Sequence, residues 1–245
     1  MMTDTVRSSP TQLLRGHIRN LRSTRQSQEF LFTYADRTAM GVTAVAAGLA
    51  GLGGVAIGLA ASADDTAEDA DLLEFELDGK SIRAWVWVSV FKEGDEVEIV
   101  AEKFGQIWHG FGIRRISDRI VALHPHCSRG RYAHYKATVR WWFLIYSLLM
   151  LIMIVLGAII IPLKGVDNWV GIFYMYAGGG GMAAAIFGLI AFNISRRFMG
   201  FVRLAEGIFS GFGWQNVKNI DLPAITKKSK KPGDPGALGV LYFRY

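Results

Sequence analysis

The chain has 245 residues, a formal net charge of +6 and 51% apolar residues, with one cysteine. Its length allows one or two domains, and a lone cysteine excludes an internal disulfide framework. The apolar residues fall in long blocks, which argues against an ordinary soluble basic protein and points to a membrane.

Residues 1–37 hold six arginines and no apolar run long enough for a secretory signal. Export would therefore need a machine that does not read a signal peptide. Residues 12–25 and 29–37 read as strands, with Phe30, Phe32 and Tyr34 on one face. Residues 39–63, AMGVTAVAAGLAGLGGVAIGLAASA, are long enough to span a bilayer but consist largely of Ala and Gly. They contain Gly54-x-x-x-Gly58, a close-packing motif for helices. The alternative to one span is a pair of short helices broken near residues 51–54. Asp64, Asp65, Glu68, Asp69 and Asp71 follow, as a metal cluster or, more commonly for a charge run, a solvated link.

Residues 72–124 have the rhythm of short antiparallel strands. Asp78-Gly79 is a two-residue hairpin signal, and residues 92–95 make the next turn. In EVEIVAE, Val97, Ile99 and Ala101 share one face. Four or five strands here, joined by the N-terminal ones, predict a small antiparallel barrel of OB or SH3 type. If the N-terminal strands share that sheet, the Ala/Gly block leaves the barrel and returns to it. Both of its ends then lie on one side, which favours a re-entrant element.

The stretch HPHCSRGRYAHYK places His124, His126, Cys127 and His134 beside three basic residues, Arg129, Arg131 and Lys136. These four side chains suit zinc, yet their spacing matches no common zinc pattern. Cys–His catalysis lacks an orienting third group. Arg129, Arg131, Lys136 and Arg140 lie just before an apolar block, so a basic collar that holds anionic headgroups is the favoured reading. His126 and His134 can gain charge in a mildly acidic compartment.

Residues 141–162 carry no charge and begin with paired tryptophans, the signature of a spanning helix. Residues 169–194 form a second span, with Gly178, Gly179, Gly180 and Gly181 at mid-depth as close-packing or bending positions. Basic residues flank both outer ends of this hairpin, Arg196 and Arg197 at the second. The positive-inside rule puts those ends in the cytoplasm. In residues 196–213, Phe198, Phe201, Val202, Ala205, Phe209 and Phe212 form an apolar helical stripe. Such a helix lies in the membrane interface or packs on the barrel. Lys227 and Lys228 open a lysine cluster suited to anionic lipid, or a solvated loop.

The expected fold class is an α+β membrane protein: a small OB/SH3-like barrel, a transmembrane helical hairpin and an Ala/Gly-rich apolar helical insertion. The segments are 1–38 N-terminal strands, 39–63 apolar insertion, 64–126 β domain, 127–140 basic collar, 141–162 and 168–194 spanning helices, 195–213 amphipathic interfacial helix, and 214–245 basic C-terminal segment.

Several strings resemble a family of short bacterial proteins assigned as type VI secretion system effectors. They are FLFTYADRTAMG, the Ala/Gly block, PHCSRG, RWW, GFGWQNVKNIDLP and the terminal YFRY. PHCSRG is the most specific, and together the strings run over nearly the whole chain. The resemblance implies a part in contact-dependent killing between bacteria. It carries no catalytic residues across.

Two readings follow. One is a toxin that inserts in a target's inner membrane. The other is a resident inner-membrane immunity or anchor protein, multi-pass, with a cytoplasmic β domain and C-terminus. An enzyme is disfavoured, because GxSxG, HExxH and P-loop signatures are absent. The expected partners are anionic lipid headgroups, a secretion-machine, toxin or immunity protein, and further copies of the chain. No cofactor is expected. Nucleic acid is disfavoured, because RNP and KH signatures are absent.

Overall fold

A computed structural model describes residues 11–28, 68–163, 165 and 168–245. The strand expected at residues 29–37, the Ala/Gly block with Gly54 and Gly58, and the acidic residues Asp64 and Asp65 lie outside the described residues. The chain divides into two compact units: residues to Ala133 together with Phe198–Tyr245, and His134–Arg197.

The first unit is built on strands β1 (Gln12–Gln28), β2 (Glu68–Leu77), β3 (Lys80–Val86), β4 (Glu96–Phe104) and β5 (Ile107–Arg115). Asp78 and Gly79 both take positive φ, 47° and 76°. That is the conformation of the tight turn whose twist matches a β-hairpin, and it joins β2 to β3 as the Asp-Gly pair predicts. Two features close the barrel. First, β1 is shared: Gln12–His17 pair with β4, and the rest of the strand with β2. Second, Ile82, Arg83 and Ala84 of β3 pair in parallel with Trp108, His109 and Gly110 of β5. The closed order β1-β2-β3-β5-β4 is compatible with an OB-type barrel. Strands β6 (Ile120–Leu123) and β7 (Phe243–Arg244) extend the sheet beyond β5.

Alternation along the strands fills the interior. Leu73, Phe75 and Leu77 of β2 face Ile82 and Ala84 of β3 and Val97, Ile99 and Ala101 of β4. Burying each large apolar side chain stabilises the barrel by roughly 1.5–3 kcal/mol before chain entropy is charged. At the β1–β2 irregularity between Arg19 and Arg22, the Glu93 carboxylate accepts the Asn20 and Leu21 N–H groups, each at 2.9 Å.

Helix α3 (Met199–Gly211) covers the outside of the barrel. Phe201, Leu204, Ala205, Ile208 and Phe209 form its apolar stripe and bury against Val100, Val121, Leu123 and Phe243. Of the two placements open to an amphipathic helix, its apolar face is on the barrel. Helix α4 (Leu222–Ser229) starts at Asp221, whose side chain caps the Ala224 N–H at 3.2 Å.

The second unit is a helical hairpin made of α1 (Arg131–Leu163) from His134 onward and α2 (Trp169–Arg197). Both helices are long and apolar enough to cross a membrane. Almost none of their apolar stretch is buried within the protein. Their seam is hydrogen-bonded at three levels. Thr138 Oγ1 donates to Ser195 Oγ at 3.1 Å, Tyr146 donates to the Gly180 carbonyl at 2.8 Å, and Tyr176 donates to the Met153 carbonyl at 3.0 Å. Polar side chains thus turn inward, where the alternative is an unsatisfied group in hydrocarbon.

Candidate functional site at the histidine loop

The loop between β6 and α1 holds PHCSRG, and its residues divide between two surroundings. On one side, His126 adopts φ 65°, a left-handed conformation rare for a side-chain-bearing residue. Holding it there costs on the order of 1–3 kcal/mol, which the surroundings must offset. Its Nε2 lies 2.7 Å from the Glu68 carboxylate at the start of β2. Trp87, Phe198 and Phe201 wall the ring, at centroid distances of 5.1, 5.7 and 5.0 Å.

Nearby, Arg25 ties β1 to this corner. Its guanidinium donates to Asp71 at 3.0 Å and to the Trp87 and Asp69 carbonyls at 2.9 and 3.0 Å. Asp71 also accepts the Ser89 N–H at 2.7 Å. The described part of the acidic run is therefore strand, with Glu68 and Asp71 engaged with side chains or backbone of this corner.

On the other side, the loop is clamped to the C-terminal segment. The Gly130 N–H donates to the Ile220 carbonyl at 2.9 Å, and the Leu222 N–H to the Ser128 carbonyl at 3.2 Å. Arg129 meets Asp221 at 3.1 Å. A Cβ at Gly130 would fall 2.0 Å from the Val217 carbonyl oxygen, so only glycine permits this approach. Cys127 is buried in the same cluster as Trp214, Ile220 and Leu222. Burial pushes its thiol well above the ordinary value of 9.0. Trp214 packs against Tyr245 with ring centroids 3.9 Å apart and the ring planes tilted by 30°. Three strings that carry the family resemblance, PHCSRG, GFGWQNVKNIDLP and YFRY, thus pack together.

The expected zinc candidates separate. His124 Nδ1 lies 3.2 Å from the Pro125 carbonyl, His126 meets Glu68, and Cys127 is enclosed by apolar groups. His134 belongs to the hairpin, with Nε2 2.9 Å from Ser195 Oγ. Among the described residues no three metal-ligating side chains come together.

The expected headgroup contacts also fall into two sets. Arg129 pairs with Asp221, and Arg131 binds Glu206 through its backbone N–H at 2.8 Å and its guanidinium at 3.2 Å. Lys136, Arg140, Arg196 and Arg197 are exposed at one end of the hairpin, with Arg196 over the Phe192 ring. Lys227 and Lys228 are exposed in the last turn of α4. Of the four mid-span glycines, Gly180 meets Met150 and Tyr146, whereas Gly178, Gly179 and Gly181 face open space.

Sequence reasoning did not single out Asp221, Tyr146, Tyr176 or Ser195. No local pattern marks them, because each acts on a residue far away in the chain. No family model, curated protein or solved structure matches this chain.

Proposed function

We propose that this chain is a membrane-inserted type VI secretion effector that acts in competition between bacteria, by lodging in a target's inner membrane and perturbing it. The observation that carries the membrane part is the outer surface of the hairpin. Leu144, Ile145, Leu148, Ile152, Phe173, Tyr174 and Leu189 are all exposed, with relative exposures of 46–69%. A continuous apolar surface of this kind suits lipid and not water. The effector part is supported by the string resemblance.

In this reading the barrel, taken as OB-type, and the C-terminus sit on the cytoplasmic side. Lys136, Arg140, Arg196 and Arg197 anchor that end in anionic headgroups, each contributing about 1 kcal/mol near the surface, and Lys227 and Lys228 are further candidates. Two helices alone are too few to surround a water path, so permeation would require several copies around a shared axis.

The second reading, a resident immunity or anchor protein, is favoured by the concentration of basic residues at one hairpin end. Expression in a bacterial host, directed to cytoplasm or to periplasm, separates the two. Depolarisation followed with a potential-sensitive dye supports the effector. Protection against the product of a neighbouring gene supports the resident protein.

A further inference from the structure

We propose that the groove over the β2–β3 hairpin binds a small zwitterion, an α-amino acid or a short peptide, with Arg22 on its carboxylate and Glu76 on its ammonium group. The groove is a cavity of about 380 Å³ lined by Asn20 and Arg22 of β1, Glu74 and Glu76 of β2, and Ser81 and Arg83 of β3. That volume lies within the range of small-molecule sites, about 300–1,000 Å³.

A fault in the sheet makes room for it. The β1–β2 register shifts between Arg19 and Arg22, and within the shift Asn20 takes φ 55°. Asparagine visits that left-handed region more readily than most side chains. The Glu93 carboxylate fixes the displaced backbone by accepting the Asn20 and Leu21 N–H groups, each at 2.9 Å. Irregular strand pairs and left-handed side-chain-bearing residues concentrate beside binding and active sites. Here both border the same cavity.

The charges on the groove choose the ligand. The register aligns Arg22 with Glu74, and Glu74 with Arg83. Arg83 is engaged by Glu74: its Nε donates to Glu74 Oε1 at 2.9 Å and its Nη2 donates to the same oxygen. Among the described residues no ion pair engages Arg22 or Glu76, although Arg19 lies opposite Glu76, and both side chains are exposed. A cation on β1 and an anion on β2 thus stand at diagonal positions, roughly 7–8 Å apart along the sheet. A lone anion or a lone cation meets one attractive and one repulsive group there. A ligand that carries both charges satisfies both, through charge-assisted hydrogen bonds about twice as strong as neutral ones. Ser81, opposite Glu76, and Asn20 add uncharged donors and acceptors, and Ile107 adds an apolar contact. This inference goes beyond the membrane-insertion reading and does not depend on it.

Titration calorimetry of the full chain in detergent micelles tests it, with the protein amino acids and L-alanyl-L-alanine as probes. At least one of these should bind saturably, and acetate, methylammonium and N-acetyl-alanine methylamide should bind at least about tenfold more weakly. Arg22→Gln and Glu76→Gln should each weaken the zwitterion by about tenfold or more, with the thermal midpoint unchanged because both side chains are exposed. Lys218→Gln, an exposed site outside the groove, should leave binding as it is. No saturable binding by any zwitterion overturns the site, and so does acetate or methylammonium binding as tightly, whatever the variants do. Undiminished binding in Arg22→Gln and Glu76→Gln overturns it equally, because the ligand would then lie elsewhere.

Discussion

Gln28 and Glu68 are cross-strand partners at the end of the β1–β2 ribbon. The two residues that flank segment 29–67 are therefore held at adjoining strand positions, about 5 Å apart between Cα atoms. A single membrane crossing would separate the ends of the apolar block by about 30 Å. Single-cysteine reporters at Thr38 and Asp64, in a Cys127→Ser background, should react with an impermeant reagent from the same side. Labelling from opposite sides would establish one full span.

The hairpin seam makes a prediction about glycines. A Cβ at Gly157 would lie 2.0 Å from the Tyr176 hydroxyl, which donates to Met153 one turn earlier on the same helix. Gly157→Ala should displace Tyr176 and destabilise the hairpin by about 0.5–2 kcal/mol, as should Tyr176→Phe. Gly181→Ala meets open space and should be neutral or slightly stabilising, since alanine favours helix by about 1 kcal/mol. Unfolding in mixed micelles measures all three. Equal losses at Gly157 and Gly181 would show that the seam is not where the close approach occurs.

Gly130 is tested in the barrel unit. Gly130→Ala forces a methyl into the Val217 carbonyl and should cost about 1–3 kcal/mol. Gly236→Ala, with nothing near its Cβ, is the matched control. Thermal unfolding followed by tryptophan fluorescence reports both, and an unchanged midpoint for Gly130→Ala would count against the clamp between the histidine loop and the C-terminal segment.

Cys127 gives a pH prediction. Its thiol is raised in the folded state, so above pH 9 the folded chain keeps a proton that the unfolded chain gives up. Stability from this group is then full below the ordinary thiol value and falls as pH rises past it. The alkaline decline should be shallower in Cys127→Ala than in the native chain. Thiol reagents should label Cys127 in denaturant and not in the folded protein. Rapid labelling under native conditions would mean that the cluster around it is open.

How much of this was legible in the sequence follows from the range of each interaction. The Asp78-Gly79 turn is local, and it alone fixes the pairing of Leu77 with Lys80. The two uncharged runs likewise announce their helices, although α1 begins at Arg131, well before Trp141, because residues 131–140 lack the apolar density that marks a span. The apolar stripe from Phe201 to Phe212 reads equally well for a membrane interface and for a barrel wall, and the complementary surface of Val100, Val121 and Leu123 is visible only once the sheet is assembled. His126 and Glu68 are 58 residues apart, and Arg129 and Asp221 are 92 apart. No spacing rule joins pairs at such separations, so the histidine stretch was legible as the link from the barrel to the first long helix but not as the place where β2 and the C-terminal segment meet it. Gly54 and Gly58 lie outside the described residues, and their close-packing role stays an expectation of the sequence.

We propose that the hairpin of α1 and α2 is embedded in a membrane, with both outer ends on the cytoplasmic side. Two single-cysteine variants in a Cys127→Ser background test it most directly: Asn168→Cys at the turn between the helices and Gly233→Cys in the C-terminal segment. In intact cells an impermeant maleimide should label the first and reach the second only after permeabilisation. Labelling of Gly233→Cys alone would invert the topology, and labelling of neither or both in intact cells would show that the two helices do not cross together.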